Sequence, residues 1–475
     1  MDIVGRTSQQ LKLNELHSTL QSEFVAVTGR RRIGKTFLID KVYEKEICFR
    51  VTGIQGGSFE EQLTNFTQKL AEYSNQVILK PADNWQEAFL MLKEYLKHLP
   101  NPKKKHVVFI DELPWITTAR SRFLQMLAHF WNDFLSKTNE FILVVCGSST
   151  SWILKKVIGD KGGLHNRVTE IIRLKPFTLS ETKIFLKSRS VQMTEMAIAE
   201  IYMTLGGVPF YLDKLKKGKS VAANIEALCF SDDGILRNEY DNLYKALFDS
   251  PENHEAIVKV LAKSNNGLTR DQIVVKSKVQ SGGPFTRTMN ELIESGFVVK
   301  VSPFNRETRG STYKLIDEFS IYFHRFMNRR KSFQKGEWIN MSNAQSYKIW
   351  RGYAFENMCF KHIDRIKDAL GVSGVYTESS FFRAKGKGSK KGIQVDLVLD
   401  RRDEVINLCE CKFYNTIFKV DKNYAAQLNN RKEIFRQETQ TKKTIFNTLI
   451  TTHGIDSNAY AIENVDSEIR LTELF

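Results

Sequence analysis

The stretch that decides the fold comprises residues 24–36 and reads FVAVTGRRRIGKT. An apolar, β-rich run passes into the pattern GxxxxGKT. The glycines of such a loop let backbone N–H groups cradle phosphates, its lysine reaches the β- and γ-phosphates, and its threonine hydroxyl holds Mg²⁺. We therefore predict that ATP and Mg²⁺ bind here. The predicted nucleotide-binding residues are Gly29, Arg30, Arg31, Arg32, Ile33, Gly34, Lys35 and Thr36.

A second apolar run, residues 107–110, ends in two carboxylates, Asp111 and Glu112. In P-loop enzymes an acidic pair at such a strand end serves the nucleotide site. Asp111 is predicted to hold Mg²⁺ through water. Glu112 is predicted to be the catalytic residue that polarises the attacking water.

Further polar residues follow the next two apolar runs. Ser148 and Ser149 come after residues 141–146, and either hydroxyl could sense the γ-phosphate. Arg167 lies in a polar loop before another apolar run. It could act as an arginine finger, from the same or a neighbouring subunit, or it could be a solvated loop residue.

Short apolar runs alternate with helical patterns through residues 1–215, which predicts an α/β fold with a parallel sheet. Residues 252–318 change to three helices and two strands, the order of a winged helix-turn-helix. The expected domains are a P-loop ATPase domain with a helical extension (1–215), a helical connector (216–251), the winged helix (252–318), a linker helix (319–345) and a second α/β domain (346–475).

The amino-acid composition limits the classes of protein to which this chain can belong. The 475 residues are 42% hydrophobic and 26% charged, which is typical of a folded globular chain. The formal net charge of +16 favours polyanionic partners. Six cysteines do not make a disulfide framework, and no apolar run approaches the ~20 residues that span a bilayer. With no pattern of a signal peptide at the N-terminus, we expect a cytoplasmic protein without a membrane partner.

A carboxylate pattern marks the C-terminal region. Asp396 lies on one predicted strand, and Glu410 and Lys412 lie on the next. Strand side chains alternate, so Glu410 and Lys412 share one face, with Asp396 opposite. Two carboxylates can hold Mg²⁺ against a scissile phosphate while a lysine activates water. Glu356, on a preceding helix, is a further candidate metal ligand; the alternative is a strand pair with a solvated Glu and Lys.

The N-terminal motifs resemble the archaeal-type ATPases of the STAND branch of AAA+ proteins, from Val4 to about Asp317. The residues that carry the resemblance are those at 4–6, 29–32, 111–115, 167, 175–177 and 206–209. The resemblance implies that Pro209 lies near the base and that Gly5 and Arg6 lie near the nucleotide. This chain departs from the family by having Thr7-Ser8-Gln9 where acidic residues are common.

The C-terminal region, about residues 346–452, resembles the PD-(D/E)XK nuclease superfamily, in the form appended to archaeal-type ATPases. The resemblance implies that Glu410 and Lys412 are catalytic, that Glu356, Asp396 and Glu410 bind metal, and that Gln427 assists. Val395 replaces the usual proline. Beside such a site the basic loop at 383–391 would clamp DNA phosphates; the alternative is a solvated loop.

We therefore expect an ATP-binding and ATP-hydrolysing switch that acts on nucleic acid, with DNA as the expected partner and a C-terminal Mg²⁺-dependent nuclease-like domain. The alternative is a STAND-type signalling or scaffold ATPase whose C-terminal domain binds a partner or DNA without cleaving it. A homo-oligomer or a protein partner is compatible with either function.

Overall fold

The computed structural model describes residues 2–77, 80–159, 162–248, 250–305, 310–328, 334–384 and 392–475. The chain divides into two compact units. The first comprises Met1–Lys175 with Leu247–Asp249, and the second Pro176–Ala246 with Ser250–Phe475. The helical extension expected at the end of the ATPase domain thus groups with the second unit.

The first unit is built on a parallel sheet of five strands in the order β2-β3-β4-β1-β5. The strands are β1 Glu23–Thr28, β2 Ile47–Thr52, β3 His106–Asp111, β4 Phe141–Gly147 and β5 Glu170–Arg173. Four of them confirm the sequence prediction. The sequence did not predict β2, because Arg50 interrupts its apolar run and it forms an edge of the sheet.

Helices cover both faces of this sheet. They are α1 Thr7–Glu15, α2 Lys35–Val42, α3 Phe59–Ser74, α4 Trp85–Lys97, α5 Leu113–Ile116, α6 Phe123–Asp133 and α7 Thr150–Ile153. Every residue of β1 is buried. Phe24 and Ala26 pack into one core with α3, α4 and α6, whereas Val25 and Val27 pack into the other core with α1 and α2. This continuous apolar run is typical of a central parallel strand and positions the loop that follows it.

The second unit begins with helices α8 Leu179–Ser188, α9 Glu195–Leu205, α10 Pro209–Leu212, α11 Val221–Ile225 and α12 Glu239–Leu247. A stretch that we call the three-helix segment follows. It contains α13 Glu252–Leu261, α14 Arg270–Ser277, α15 Gly283–Glu294 and the antiparallel strands β6 Val298–Val301 and β7 Thr312–Leu315. The predicted order of three helices and two strands is confirmed.

A mixed five-stranded sheet, which we call the C-terminal sheet, has the order β12-β11-β10-β9-β8. Its strands are β8 Thr377–Ala384, β9 Ile393–Arg401, β10 Val405–Lys412, β11 Thr444–Thr451 and β12 Ser467–Arg470. β10, β11 and β12 are parallel, whereas β8 and β9 run antiparallel to their neighbours. The accompanying helices are α16 Glu318–Tyr322, α17 Glu337–Ser342, α18 Gln345–Lys361, α19 Ile363–Ala369, α20 Lys422–Thr439 and α21 Ala459–Asn464.

Helices α18 and α19 are separate because the chain breaks at His362. The His362 ring is buried, donates from Nδ1 to the Met358 carbonyl at 2.8 Å, and accepts at Nε2 from the Leu179 N–H at 3.1 Å. This pair of contacts requires the neutral ring. Burial lowers the pKa of His362 to about 4.

His362 should make the stability of the second unit depend on pH. Between pH 6.5 and about 4 the unfolded state binds the proton and the folded state does not, so the free energy of unfolding falls as the pH falls. The loss is about 3 kcal/mol, at ~1.4 kcal/mol per pKa unit. Urea unfolding at pH 7.5 and 4.5 measures it. His362→Gln, which offers a donor and an acceptor but does not titrate, should lose that part of the pH dependence; an unchanged slope would contradict the assignment.

Candidate functional site

The phosphate loop joins the end of β1 to the start of α2, and its backbone requires glycine at two positions. Gly29 has φ +144°, and a Cβ there would lie 2.5 Å from Ile33 Cδ1 and 2.5 Å from the Leu174 carbonyl oxygen. Gly34 has φ +86° and immediately precedes α2. The loop therefore ends at the N-terminus of a helix, where free N–H groups and the helix dipole favour an anion.

Lys35 points its ammonium group into this loop. The side chain is buried, and Nζ donates to the carbonyl oxygens of Gly29 at 2.9 Å and Arg30 at 3.1 Å. The geometry therefore fits the predicted role of a point charge for the β- and γ-phosphates.

Asp111, at the carboxyl end of β3, is contacted by three side chains, those of Thr36, Cys146 and Arg50. Thr36 Oγ1 donates to Asp111 Oδ2 at 2.8 Å, and Cys146 Sγ donates to Asp111 Oδ1 at 2.8 Å. Burial raises the pKa of Cys146 well above its usual value, so it stays a thiol donor. The adjacent hydroxyl and carboxylate of Thr36 and Asp111 are hard oxygen donors, the type that Mg²⁺ prefers.

Arg50, on the unpredicted strand β2, is the third of these side chains. Its Nη2 lies 3.7 Å from Asp111 Oδ2, and its Nη1 donates to Asp40 Oδ1 at 2.8 Å. Burial raises the pKa of Asp40, against the effect of Arg50. No local pattern pointed to Arg50, because it reaches Asp111 only through the pairing of β2 with β3.

Ser148 contacts Glu112 directly. Both the Ser148 N–H, at 3.0 Å, and its Oγ, at 2.9 Å, donate to Glu112 Oε2. Glu112 itself has φ 47°, an uncommon backbone conformation for a non-glycine residue. The sequence suggested that Ser148 or Ser149 senses a phosphate. In the structure Ser148 holds the carboxylate that is predicted to polarise water, and its role as a phosphate sensor stays a prediction.

Three other predicted residues occupy different settings. Arg6 is buried, and its Nη2 lies 3.5 Å from the Ile33 carbonyl oxygen of the phosphate loop, which agrees with a position near the nucleotide. Arg167 is exposed, as both a finger and a solvated loop residue would be, so the two interpretations stay open. Pro209 begins α10 in the second unit, and its base contact stays a prediction.

The predicted carboxylate cluster lies at one end of the C-terminal sheet. The β9–β10 ladder ends at Leu397 opposite Cys409, and the same antiparallel register, continued by one step, would set Asp396 opposite Glu410. Glu410 Oε1 lies 2.7 Å from Lys412 Nζ. The predicted relation of Asp396, Glu410 and Lys412 along the two strands is thus what the register gives.

Arg431 is the cluster residue that the sequence analysis missed. Its Nη1 donates to Glu410 Oε2 at 2.5 Å from helix α20. Gln427, the predicted accessory residue, lies one turn earlier on this helix and is exposed. Burial alone would raise the pKa of Glu410, but the two cations outweigh it and lower that pKa.

Glu356 lies on α18, and the charged groups of this cluster affect its pKa. Burial raises its pKa to about 8, aided by the negative charge of Asp396. Glu410 raises it too, whereas Lys314 and Lys412 lower it. Across the described residues, however, no group of three or more His, Cys, Asp or Glu side chains is arranged to hold a metal ion. The expected ligands Glu356, Asp396 and Glu410 are therefore neighbours without forming a closed metal site in this conformation.

Most of the basic loop that is predicted to contact DNA lies outside the described residues. Of residues 383–391, the structure describes Arg383 and Ala384. Arg383 Nη2 donates to the Asn266 carbonyl at 3.1 Å. Its guanidinium thus contacts the three-helix segment.

A parallel five-stranded sheet, a glycine loop after its β1 strand and an acidic pair at the end of β3 define a P-loop ATPase. Residues 6–215 match a family described as an ATPase domain predominantly from Archaea. This part of the chain is therefore similar to ATPase domains that come predominantly from Archaea, and the protein is an ATPase.

Similar proteins were found by sequence and by structure. An uncharacterized protein of Methanocaldococcus jannaschii is 25% identical over 360 residues, which is 75% of this chain and 76% of that protein. A Walker-type ATPase of Pyrococcus abyssi is 18% identical with a TM-score of 0.49, covering 68% of this chain and 97% of that one. The ORC2 protein of Aeropyrum pernix, solved in ADPNP–ADP complexes, is 13% identical with a TM-score of 0.43 and coverages of 68% and 93%.

Helices long and apolar enough to cross a bilayer are absent from the described part of the chain.

Proposed function

We propose that the protein is an ATP-driven switch that acts on DNA through a C-terminal Mg²⁺-dependent nuclease-like domain. The observation that supports the second half of this proposal is the β9–β10 register, which pairs Leu397 with Cys409 and, continued by one step, would set Asp396 opposite Glu410, with Lys412 two residues further along the strand. Such a pair of carboxylates beside a lysine is suited to phosphodiester hydrolysis.

In the ATPase domain, Lys35 and the backbone of residues 29–34 would bind the phosphates. Thr36 and Asp111 would hold Mg²⁺, which neutralises charge on the transferred phosphoryl group. Glu112, whose Oε2 accepts from the N–H and the hydroxyl of Ser148, would orient the attacking water. Arg6, beside the loop, is proposed to lie near the nucleotide, and Pro209 near the base.

In the second unit, the three-helix segment with β6 and β7 has the element order of a winged helix, and we propose that fold for it. The mixed C-terminal sheet with α18 and α20 supports the proposed PD-(D/E)XK-like fold. Glu356, Asp396 and Glu410 would hold Mg²⁺, and Lys412 would orient water. The net charge of +16 and the basic loop at 383–391 support DNA as the partner. A cytoplasmic location is proposed from composition.

The nuclease half is tested with the full chain, supercoiled, linear double-stranded and single-stranded DNA, and Mg²⁺ or Mn²⁺, with and without ATP. Asp396→Asn should abolish metal-dependent cleavage, because it removes a charged metal ligand, and should leave DNA affinity unchanged or raised. Asp400→Asn is the matched control: it lies on the same strand, with its carboxylate 2.7 Å from Lys443 Nζ, and should cut normally. Equal cleavage by both variants would contradict the assignment.

One observation favours the alternative of a scaffold ATPase that binds without cutting. Glu410 is paired with both Lys412 and Arg431, and cations that neutralise a carboxylate compete with a metal for it. DNA binding without cleavage in wild type under every condition above would make this alternative the better function.

A further inference from the structure

The three-helix segment is held on the C-terminal sheet by the connection between β6 and β7. The Phe304 N–H donates to the Phe381 carbonyl at 2.9 Å, and Pro303 forms a β-bridge with Phe381. The Phe304 ring is buried in the core of the sheet, with its centroid 4.9 Å from that of Phe435 on α20. Because burying an aromatic ring is strongly stabilising, the segment has a defined position against β8.

The turn between α13 and α14 carries Asn266, and its backbone is fixed on both sides. Ser264 Oγ donates to the Gly267 carbonyl at 3.0 Å, and Leu268 exchanges two backbone hydrogen bonds of 3.0 and 2.8 Å with Tyr313 of β7. Gly267 has φ +72°, and a Cβ there would lie 2.9 Å from the Tyr313 carbonyl oxygen. The turn therefore requires glycine at this position and presents Asn266 in one orientation.

Asn266 contacts a pair of neighbouring residues in the C-terminal sheet at two points. Arg383 of β8 and Gln394 of β9 lie opposite each other in the antiparallel ladder. The Asn266 carbonyl accepts from Arg383 Nη2 at 3.1 Å, and Asn266 Nδ2 donates to Gln394 Oε1 at 2.8 Å. The backbone and the side chain of this half-buried residue are thus both used to contact the sheet.

Gln394 connects Asn266 to Asp396, two residues further along β9. Gln394 Nε2 donates to Asp396 Oδ1. An ionised carboxylate can only accept hydrogen bonds, whereas an amide has one donor end and one acceptor end. Gln394 must therefore turn its Nε2 towards Asp396 and its Oε1 towards Asn266, which donates. The three side chains form a series of hydrogen bonds with a single direction.

We propose that Asn266 is a positioning residue of the carboxylate cluster, which acts through Gln394 to hold Oδ1 of Asp396 and to turn Oδ2 towards the divalent cation. This inference rests on the proposed nuclease-like function. Carboxylates that bind a metal are themselves oriented by hydrogen bonds, and loss of such a partner typically lowers metal affinity or activity about 10–100-fold. Because Asn266 belongs to the three-helix segment, the position of that segment would set the affinity of the site.

The test measures Mn²⁺ binding to metal-free full-length protein by titration calorimetry. Asn266→Ala removes the donor and should lower the affinity of an Asp396-dependent Mn²⁺ site about tenfold. Asn266→Asp can only accept, so Gln394 would turn its amide round and present Oε1 to Asp396. It should lower the affinity at least as much, although its added negative charge would by itself attract the cation.

Asn265→Asp is the matched control, because Asn265 is exposed and one residue earlier, so that the variant adds the same charge without changing the hydrogen bonds to Gln394. It should not weaken Mn²⁺ binding. Each titration is repeated with Asp396→Asn, which separates this site from metal bound at the phosphate loop.

Gln394→Ala distinguishes positioning from a general loosening of the fold. It should lower the affinity as Asn266→Ala does, and the double variant should bind no more weakly than Gln394→Ala alone, because Asn266 acts only through Gln394. Losses that add would show that Asn266 acts by another route and would overturn the inference. Should the Asn266 variants fail to fold, Gln394→Ala alone decides, and an unchanged affinity in it overturns the inference.

The outcomes distinguish this inference from the proposed function. An Asp396-dependent affinity that is unchanged or raised in Asn266→Ala overturns the role of Asn266 and leaves the metal site standing. No Asp396-dependent Mn²⁺ binding in wild type overturns the metal-dependent function itself, and this inference with it.

Discussion

Replacing Lys35 with alanine should remove tight ATP binding. The Lys35 ammonium is buried inside the phosphate loop, 2.9 Å from the Gly29 oxygen and 3.1 Å from the Arg30 oxygen. A hydrogen bond to a charged group contributes about 1.5–3 kcal/mol, and the ammonium is expected to contact more than one phosphate oxygen. We therefore expect Kd for Mg-ATP to rise on the order of 100-fold.

Titration calorimetry with Mg-ATP measures this effect. Lys41→Ala is the matched control, because Lys41 lies in the last turn of the same helix and pairs with Glu44 at 3.0 Å on the surface. It should bind ATP as wild type does. Wild-type affinity in Lys35→Ala would refute the phosphate assignment of this lysine.

Glu112→Gln should bind ATP normally and hydrolyse it about 10²–10⁴-fold more slowly, the usual contribution of a positioned general base. The glutamine oxygen can still accept from the Ser148 N–H and hydroxyl, now at 3.0 Å and 2.9 Å, so the local structure should persist. Only the negative charge that polarises water is lost. Single-turnover hydrolysis and nucleotide retention measure the two effects separately, and a normal rate would show that Glu112 is not the catalytic residue.

Ser148→Ala serves as the companion variant for this measurement. If Ser148 acts only by restraining Glu112, its removal should leave the hydrolysis rate unchanged or raised. If it also contacts the γ-phosphate, as the sequence suggested, the rate should fall. The contrast with Glu112→Gln shows whether the serine restrains the carboxylate or takes part in the reaction.

The sequence predicted those features that depend on local pattern. Gly29 and Gly34 predict a loop with backbone conformations that favour glycine. The apolar run before them, residues 24–28, predicts a buried strand. In the C-terminal sheet, the alternation of side chains along β10 and an antiparallel partner were enough to relate Asp396 to Glu410. Each of these inferences needs only neighbours along one strand or one turn.

The sequence alone could not place the side chains that reach across elements. Arg50 meets Asp111 because β2 pairs with β3, and Arg431 meets Glu410 because α20 packs on the C-terminal sheet. The sequence around a charged residue looks the same whether its side chain is solvated or is paired with a residue far away along the chain. The sequence by itself thus determined the phosphate loop, the acidic pair at the end of β3, and the two neighbouring strands that carry Asp396 and Glu410. Only the tertiary structure decided which cations neutralise those carboxylates, because that depends on the packing of distant elements.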